Sequence, residues 1–404
     1  MAAFPSIDAP SIRRLRAAVT VAERKSFSAA SHRLSLSQPA LTKCIAGLEA
    51  DLQAKLFVRT TAGSSLTQDG EKYIARAMRF FDQLRAALSA VGGDPVERRL
   101  QKLTGVHTRN LIMIWRLQSF RAAARALGVS EPSLQRPARD LEQIVGARLY
   151  RKLAGGLGVN QTGAELARRF AVAYEELRAG AEEIGRISRE RPSLRIGVLA
   201  LAPRAELSAA IEETLRANAS QRISVMEAEY SRCAELLRAG ELDVFFGALR
   251  SSDEARDVVE EPFFEDPYVL VCRRRHPLAG RADIRPDDLR AFDWIHPTAG
   301  IPRRNVLDRH LAAWGARSDV QFETSCLSTI SALLACSDRL TILARSNIVG
   351  GGPLDVIERI PLAHESRRVG LTYRRDWLPT PFQEAFLRRL RMGQKRGQSH
   401  RRTA

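Results

Sequence analysis

Polar and basic side chains are concentrated between Ser37 and Lys43. Gln38, Thr42 and Lys43 supply amide, hydroxyl and ammonium groups, and Ala40 between them is small. Such groups bind base edges and phosphates in a major groove about 12 Å wide, which a single helix can enter. They can do so only from one exposed face of a helix, so the neighbouring segments must fold to present that face.

Two short helices separated by a tight turn are predicted around these residues. Ser26 is suited to cap the first helix, and Ser35-Leu36 would form the turn. Ser37 would cap the second helix, with Pro39 in its first turn, where the missing N–H costs nothing. This order is that of a helix-turn-helix, whose second helix contacts DNA.

The second predicted helix has one apolar face. Leu41, Ile45 and Leu48 recur at positions i, i+4 and i+7, which predicts a buried stripe. Gln38 and Lys43 lie outside that stripe and are therefore expected to point into solvent.

A short hairpin is predicted after this helix. Leu56-Phe57 begins a strand and is expected to belong to the core, Thr60–Ser65 would form the turn, and Leu66-Thr67 would return. Such a hairpin forms a wing beside the second helix. Arg59 and Thr61 on this wing are expected to contact DNA phosphates.

The same pattern occurs twice. Residues 26–70 and 119–163 align without a gap at an offset of 93, and 15 of the 45 positions are identical. Two copies are too few for a solenoid, so the repeat predicts a duplicated domain.

The second copy departs from the first at the positions that would contact DNA. Glu131 replaces Gln38 and places an acid where a polyanion would lie, and Pro137 falls inside the predicted helix, where it removes a hydrogen bond. Polar and basic side chains nevertheless remain on the outward face: Gln135, Arg136 and Arg139. The second copy either binds DNA with altered or little base specificity or serves as a structural or dimerising spacer, and the basic residues favour the first alternative.

A long helix is predicted after each copy. Glu71–Val91 has apolar residues near helical spacing and ends at Gly92-Gly93-Asp94-Pro95, and Ala164–Arg189 repeats this pattern before Pro192. Each helix would pair either with its counterpart in another chain or within its own chain.

From Leu194 onward, strands and helices alternate. This alternation predicts an α/β domain with parallel strands. The predicted elements are strands at Leu194–Val198 and Ile223–Ala228, helices at Leu207–Ala217 and Cys233–Ala239, and a turn into a third strand over Gly240–Gly247.

The motifs of the first copy resemble the winged helix-turn-helix of LysR-type transcription regulators. They comprise Ser37–Lys43, Leu48-Glu49, Leu56–Arg59 and Leu66–Gly70. The resemblance implies DNA contacts by the positions that match the family's motif: Gln38, Pro39, Thr42 and Lys43. It also implies a homodimer or homotetramer that binds promoter DNA and acts on RNA polymerase.

The C-terminal half is similar to the LysR effector-binding domain, through Leu236–Asp243, Tyr268–Cys272 and His276–Ala279. That resemblance implies a periplasmic-binding-protein-like fold of two subdomains, with a small-molecule effector between them. The candidate contact residues follow strand ends or begin a helix, and they are Ala200, Leu201, Arg204, Gly247, Arg250, Thr298, Ser328 and Thr329.

Composition limits the other possibilities. The 404 residues carry a net charge of +17, which favours a polyanionic partner. We find no secretory or membrane-spanning segment and therefore expect a cytoplasmic protein. The five cysteines form no CxxC pair, so free thiols are favoured over a redox pair of Cys326 and Cys336.

No HExxH, GxSxG or P-loop pattern occurs, so neither catalysis nor a metal nor another cofactor is expected. Two other classes of protein stay open: a ligand-binding protein without a specific DNA role, and an architectural DNA binder without an effector. A gel-shift assay on the protein's own promoter would separate them.

The predicted fold is mixed α and α/β: two winged helix-turn-helix domains followed by the two-subdomain α/β effector domain. The expected boundaries are 10–70 for the first winged domain, 71–94 for a linker helix, 104–163 for the second winged domain, 164–192 for a second linker helix, 193–392 for the effector domain, and 393–404 for a solvated basic tail.

Overall fold

The computed structural model describes residues 10–60, 63–153, 156–186, 192–250, 257–281, 283–316, 319–348, 354–357, 362 and 365–403. The chain forms two compact units. One contains both sequence repeats, and the other contains the strands and helices that follow Leu194.

Head 1 is the first helix-turn-helix with its hairpin. Its elements are α1 (Ile12–Arg24), α2 (Phe27–Leu34), α3 (Gln38–Leu52), β1 (Phe57–Thr60) and β2 (Gly63–Leu66). Ser26 caps α2 as predicted, because its Oγ accepts a hydrogen bond from the Ala29 N–H at 3.3 Å. The predicted stripe of Leu41, Ile45 and Leu48 is buried.

A long helix, α4 (Gln68–Val91), follows head 1. It begins three residues before the predicted start, because Thr67 Oγ1 accepts from the Gly70 N–H at 2.9 Å and caps it there. It ends at Gly92, whose φ of +77° suits glycine. The short helix α5 (Val96–Lys102), which the sequence patterns did not indicate, then leads to the second copy.

Head 2 repeats the elements of head 1. These are α6 (Gly105–Leu117), α7 (Phe120–Leu127), α8 (Glu131–Val145), β3 (Tyr150–Leu153) and β4 (Gly156–Val159), followed by α9 (Gln161–Glu183). Each of these six elements begins 93 residues after its counterpart. The repeat seen in the sequence is therefore also a repeat of secondary structure.

The contacts that join each head to its long helix are repeated as well. Glu49 Oε1 accepts from the Leu56 N–H at 2.9 Å, and Glu142 Oε1 accepts from the Leu149 N–H at 2.7 Å. One hydrophobic cluster runs through both heads and both long helices. Heads 1 and 2 therefore share a core with α4 and α9.

The second unit is built on a mixed sheet with strand order β10-β8-β11-β7-β5-β6, and β9 pairs with β8. Its elements are β5 (Leu194–Val198), α10 (Ala205–Ala217), β6 (Ile223–Glu227), α11 (Tyr230–Arg238), β7 (Val244–Ala248), β8 (Val258–Arg273), α12 (Pro302–Trp314), α13 (Leu327–Ala335), β9 (Thr341–Ala344), β10 (Leu354–Ile357), β11 (Ser366–Arg374) and α14 (Pro381–Thr403). The parallel pairs β5–β6 and β5–β7 confirm the predicted alternation of strands and helices.

One strand links the two subdomains of this unit. Residues 258–267 of β8 pair with β11, whereas its residues 268–273 pair with β9 or β10. The same backbone thus runs from the first subdomain into the second, and the subdomain boundary falls near Pro267.

The prediction of a separate solvated tail at 393–404 is wrong for its secondary structure. Helix α14 runs to Thr403, because no proline interrupts the sequence after Pro381. The glycine-rich stretch at 350–352 lies outside the described residues.

Candidate functional sites

The N-terminal half of α3 presents the face predicted to contact DNA. Ser37 Oγ accepts from the Ala40 N–H at 3.4 Å and fixes the first turn of the helix. Gln38 and Lys43 are exposed, whereas Thr42 is half-buried. Leu41 is buried beneath them, so core packing orients the exposed face.

The turn of the wing is shorter than predicted. The return strand begins at Gly63 and ends at Leu66, and it does not begin at Leu66-Thr67. Arg59 lies on β1 opposite Ser64, and Thr61 lies outside the described residues. The earlier return follows from Gly63, whose φ of +136° accommodates a tight reversal.

Helix α8 of head 2 begins differently from α3. Ser130 makes no cap through its side chain; its Oγ instead lies 2.7 Å from the Ser133 Oγ. Pro137 does not end the helix, which continues to Val145. Since proline has no N–H, the expected loss is confined to one hydrogen bond, to the Ser133 carbonyl four residues earlier.

The outward face of α8 is polar and cationic. Gln135, Arg136 and Arg139 are all exposed, and Leu134 and Leu141 are buried behind them. At the 93-residue offset, Gln135 and Arg136 stand where head 1 has Thr42 and Lys43. Head 2 therefore retains a cation at the position of Lys43.

Leu201, predicted as an effector contact, lies in the loop after β5 with a φ of +65°. Its side chain packs with Ile330 and other apolar residues of the second subdomain. Its carbonyl accepts hydrogen bonds from Asn347 Nδ2 at 2.9 Å and from Arg367 Nη2 at 2.7 Å. This loop is thus fixed where the two subdomains meet.

A buried ion pair completes that junction. Arg367 Nη2 lies 2.8 Å from Asp266 Oδ2, and Ser346 Oγ donates to the same oxygen at 2.6 Å. Asp266 is only 2% exposed, so its charge depends on these partners. Sequence patterns did not indicate these residues, which come together from β8, β11 and the short helix Arg345–Asn347.

Two arginines that were predicted to contact the effector already contact other side chains of the chain. Arg204 forms an ion pair with Glu227, and the Arg250 guanidinium lies 4.4 Å from the centre of the Tyr230 ring. Gly247 has a structural role, since a Cβ there would lie 2.6 Å from the Cβ of Leu199.

Hydroxyl groups cluster near the start of α13. Thr298 Oγ1 lies 2.5 Å from Ser325 Oγ, and Ser328 and Thr329 are exposed in the first turn of the helix. Hydrogen bonds from Ser328 and Thr329 lower the pKa of the neighbouring Cys326 thiol to about 7. The side-chain hydroxyls and the positive end of the helix dipole could hold a polar ligand here.

The alternative of a Cys326–Cys336 redox pair is wrong for the folded chain. The two cysteines lie at opposite ends of α13, as its N-cap and C-cap. Ten helical residues span about 15 Å, whereas a disulfide requires Cα atoms within about 7 Å.

Two polar side chains of the second subdomain are deeply buried. Arg303 Nη1 donates to the Ile342 carbonyl at 2.8 Å, but its Nε and Nη2 have no hydrogen-bond partner among the described residues. His296 is fully buried, and neither ring nitrogen has a hydrogen-bond partner there. No motif marked them, because their burial depends on tertiary packing.

Comparison with known families decides the identity of the chain. The model described as LysR substrate binding domain matches residues 188–394, just over half of the chain. The chain belongs to the LysR family. The model described as bacterial regulatory helix-turn-helix protein, lysR family, matches residues 12–71 and 107–164. This LysR protein is accordingly a DNA-binding transcription regulator, modulated by a small-molecule effector in its C-terminal domain.

Relatives of this LysR protein include two named regulators. The HTH-type transcriptional regulator GalR of Pseudomonas putida is 29% identical over 386 residues, covering 93% of this chain and 95% of GalR. The HTH-type transcriptional regulator PcaQ of Agrobacterium fabrum is 23% identical over 284 residues, covering 69% of this chain and 91% of PcaQ. PcaQ is therefore the shorter protein, whereas GalR is similar in length.

A solved structure shares the LysR fold. A full-length OxyR variant from Pseudomonas aeruginosa superposes with a TM-score of 0.51 and 19% identity, covering 72% of this chain and 94% of OxyR. Among the described residues, no helix is long and apolar enough to cross a membrane. That part of the chain also shows no group of three or more His, Cys, Asp or Glu side chains placed to hold a metal.

Proposed function

We propose that this regulator reads its promoter chiefly with head 1. The observation that carries the proposal is the capped, exposed first half of α3, whose buried Leu41 holds the opposite face outward. The residues proposed to contact DNA in head 1 are Ser37, Gln38, Pro39, Ala40, Thr42, Lys43, Arg59 and Thr61.

Head 2 is proposed to be a duplicate of head 1 that also contacts DNA, through Gln135, Arg136 and Arg139. The repeated elements and the second match to the helix-turn-helix family support the duplication. Its cationic face supports the contact, because arginine binds both phosphates and guanine.

The effector is proposed to bind between the two subdomains of the second unit. Ala200, Arg204 and Arg250 would line one side, and Thr298, Ser328 and Thr329 the other. Leu201 and Gly247, which were predicted as contacts, support the site by shaping its loops. Effector binding would change the angle between subdomains through its different affinity for the two states.

The proposed assembly is a homodimer or homotetramer that contacts RNA polymerase and has no catalytic activity. Its proposed domains keep the boundaries 10–70, 71–94, 104–163, 164–192 and 193–392. The match to 95% of GalR, itself named a transcriptional regulator, supports a regulatory role for the whole chain.

A gel-shift assay tests DNA reading. The full chain should bind the promoter fragment of its own gene at least about tenfold more tightly than a random fragment of equal length. Lys43→Ala should weaken promoter binding by a similar factor, while Lys102→Ala, an exposed lysine on α5, should not. Equal affinity for both fragments would refute the proposal.

A further inference from the structure

We infer that one chain carries a complete two-headed DNA-binding unit, in which α4 and α9 pair heads 1 and 2 for two half-sites of different sequence. This inference rests on the proposed function of the heads. It adds that the pairing lies within one chain and that each head has its own half-site.

Helices α4 and α9 pack antiparallel. Tyr73, near the start of α4, faces Gly180, near the end of α9, and the Phe80 ring lies 5.3 Å from the Tyr174 ring. Tyr174 is also the counterpart of Phe81 at the 93-residue offset, so equivalent positions meet near the middle of the pair. Like helices that cross at equivalent positions in opposite directions are related by an approximate two-fold rotation.

The rotation extends to the heads. Gly70 of α4 lies against the Leu56 carbonyl, and Gly163 of α9 lies against the Leu149 carbonyl in the same way. Because each head is fixed to its helix by the same contacts, the rotation that exchanges the helices also exchanges the heads. Two heads related by a two-fold axis match inverted half-sites spaced by whole turns of DNA.

The charged side chains between the two helices favour the pairing of α4 with α9. Arg76, whose side chain is 4% exposed, lies 2.9 Å from Glu176 and also pairs with Glu183, while Arg79 lies 3.0 Å from Glu176. Burial alone would lower the pKa of Arg76, but its hydrogen bonds to Glu183 and Glu176 raise it above the ordinary arginine value. The guanidinium is therefore held charged by Glu176 and Glu183, both of which lie on α9.

Pairing of α4 with α4 of another chain would lose those acids. The positions of α4 equivalent to Glu176 and Glu183 are Gln83 and Ala90. Arg76 would then be buried without a carboxylate, an arrangement that is strongly destabilising.

The packing around Gly180 also favours the pairing of α4 with α9. A Cβ at Gly180 would lie 3.0 Å from the Cβ of Arg76 and 3.1 Å from the Tyr73 ring, so this contact accepts only glycine without adjustment. The equivalent position on α4 is Ala87. Charge and volume together therefore favour α9 over a second copy of α4 as the partner, and in this structure that α9 belongs to the same chain.

The two heads would read different bases. At equivalent positions head 1 has Gln38 and Lys43, whereas head 2 has Glu131 and Arg136. Glutamine pairs well with adenine, while glutamate accepts from cytosine and arginine donates to guanine. Lysine also binds guanine, so the two half-sites are expected to differ at the base pair that faces Gln38 or Glu131, which would be A·T for head 1 and G·C for head 2.

Hydroxyl-radical footprinting of the full chain on its promoter tests the half-sites. Wild-type protein should protect segments in pairs, one pair for each bound chain, and the two members of a pair should differ in sequence and be centred a whole number of turns apart. Lys43→Ala should weaken protection of one segment about tenfold, Arg136→Ala should weaken the other, and Lys102→Ala should weaken neither. A single protected segment, two identical segments, or unchanged protection with Arg136→Ala would overturn the inference while leaving DNA reading by head 1 intact. Loss of promoter preference in the wild type would instead refute the proposed function and this inference with it.

Cross-linking tests whether the pairing lies within one chain. In the double variant Arg76→Cys with Gly180→Cys, the two Cβ atoms would lie 3.0 Å apart, and a small shift brings them to the disulfide separation of about 3.8 Å. After oxidation, peptide mapping should find the introduced pair joined in chains of monomeric mass on a denaturing gel. Joining of the introduced pair between two chains, or no joining in a double variant whose circular dichroism and thermal unfolding match those of the wild type, would overturn the inference. Each single variant serves as a control for the native thiols.

Discussion

At the scale of single residues, burial governs the behaviour of the ionisable groups. Burial lowers the pKa of His296, and the charge of Arg304 lowers it further against the opposing effects of Asp308 and Glu323. The folded chain therefore holds His296 in its neutral form. Burial likewise lowers the pKa of His276 and His310 in the same subdomain.

This protonation preference predicts a loss of stability in mild acid. The unfolded chain binds a proton near the ordinary histidine pKa of about 6.5, whereas the folded chain binds it only at lower pH. Stability from His296 is thus fully present above about pH 6.5 and declines below it. The melting temperature should fall less between pH 7.5 and 5.5 in His296→Gln than in the wild type. An equal fall in melting temperature in both proteins would contradict this prediction. The variant His32→Gln, at an exposed histidine, is the control.

The ion pair of Asp266 and Arg367 makes a second prediction at this scale. Asp266→Asn keeps the shape but removes the charge that faces the buried Arg367, so a loss of about 3 kcal/mol is expected. In thermal unfolding, the transition temperature of the second unit should be lower in this variant than in the wild type. Exchange of the exposed Asp319 for Asn should leave that transition unchanged.

At the scale of elements, two glycines fix the start of the long helices. A Cβ at Gly70 would lie 2.1 Å from the Leu56 carbonyl oxygen, and a Cβ at Gly163 would lie 2.2 Å from that of Leu149. Backbone atoms cannot move aside as a flexible side chain can. Both positions therefore accept glycine alone.

Alanine at either position should destabilise its own head. Overpacking of this kind costs roughly 1 to 3 kcal/mol, and Gly70→Ala should also weaken promoter binding. Urea denaturation measures the stability. Gly105→Ala is the matched control, because its added Cβ has only the Tyr174 hydroxyl, at 4.0 Å, as a neighbour. A stable Gly70→Ala variant would show that the helix start can shift.

The contact between α4 and α9 makes a further prediction. Glu176 forms ion pairs with Arg76 and Arg79 and accepts a hydrogen bond from Gln83. The variant Glu176→Gln should therefore destabilise the first unit by about 3 kcal/mol. Glu165→Gln removes a more exposed acid from the same helix, for which less than about 1 kcal/mol is expected. Equal effects of the two variants in thermal unfolding would contradict the importance of the buried network.

Local sequence signals account for much of each head. Ser26, Ser37 and the stripe of Leu41 and Leu48 predicted the helices, because caps and helical spacing act over a few residues. The partner of α4 could not be predicted in the same way, since an apolar helix face fits several partners. The ion pairs between Arg76 and α9 distinguish α9 from the other possible partners of α4.

The candidate effector site was less predictable for the same reason. The exposed hydroxyls at the start of α13 follow from a helix boundary, which sequence can mark. The junction of Leu201, Asp266 and Arg367 joins residues far apart in the chain, and no spacing rule connects them. Arg303 and His296 are hidden by tertiary packing alone.

At the scale of the whole molecule, charge should dominate the strength of DNA binding. A net charge of +17 implies affinity that falls steeply as salt rises, because bound cations are released from DNA. If both heads contact phosphates, Lys43→Ala and Arg136→Ala should each reduce the slope of log affinity against log salt by about 1. Fluorescence anisotropy between 50 and roughly 200 mM salt measures it. An unchanged slope for Arg136→Ala would indicate that head 2 does not touch the backbone.

The covalent link between the two heads has a consequence for dilution. A pair of heads assembled from separate chains falls apart as protein becomes scarce, whereas heads joined through α5 keep a high effective concentration of each other at any copy number. A few molecules per cell would then retain full two-headed binding. Mutation could also retune one half-site without altering the other, because each head is encoded separately.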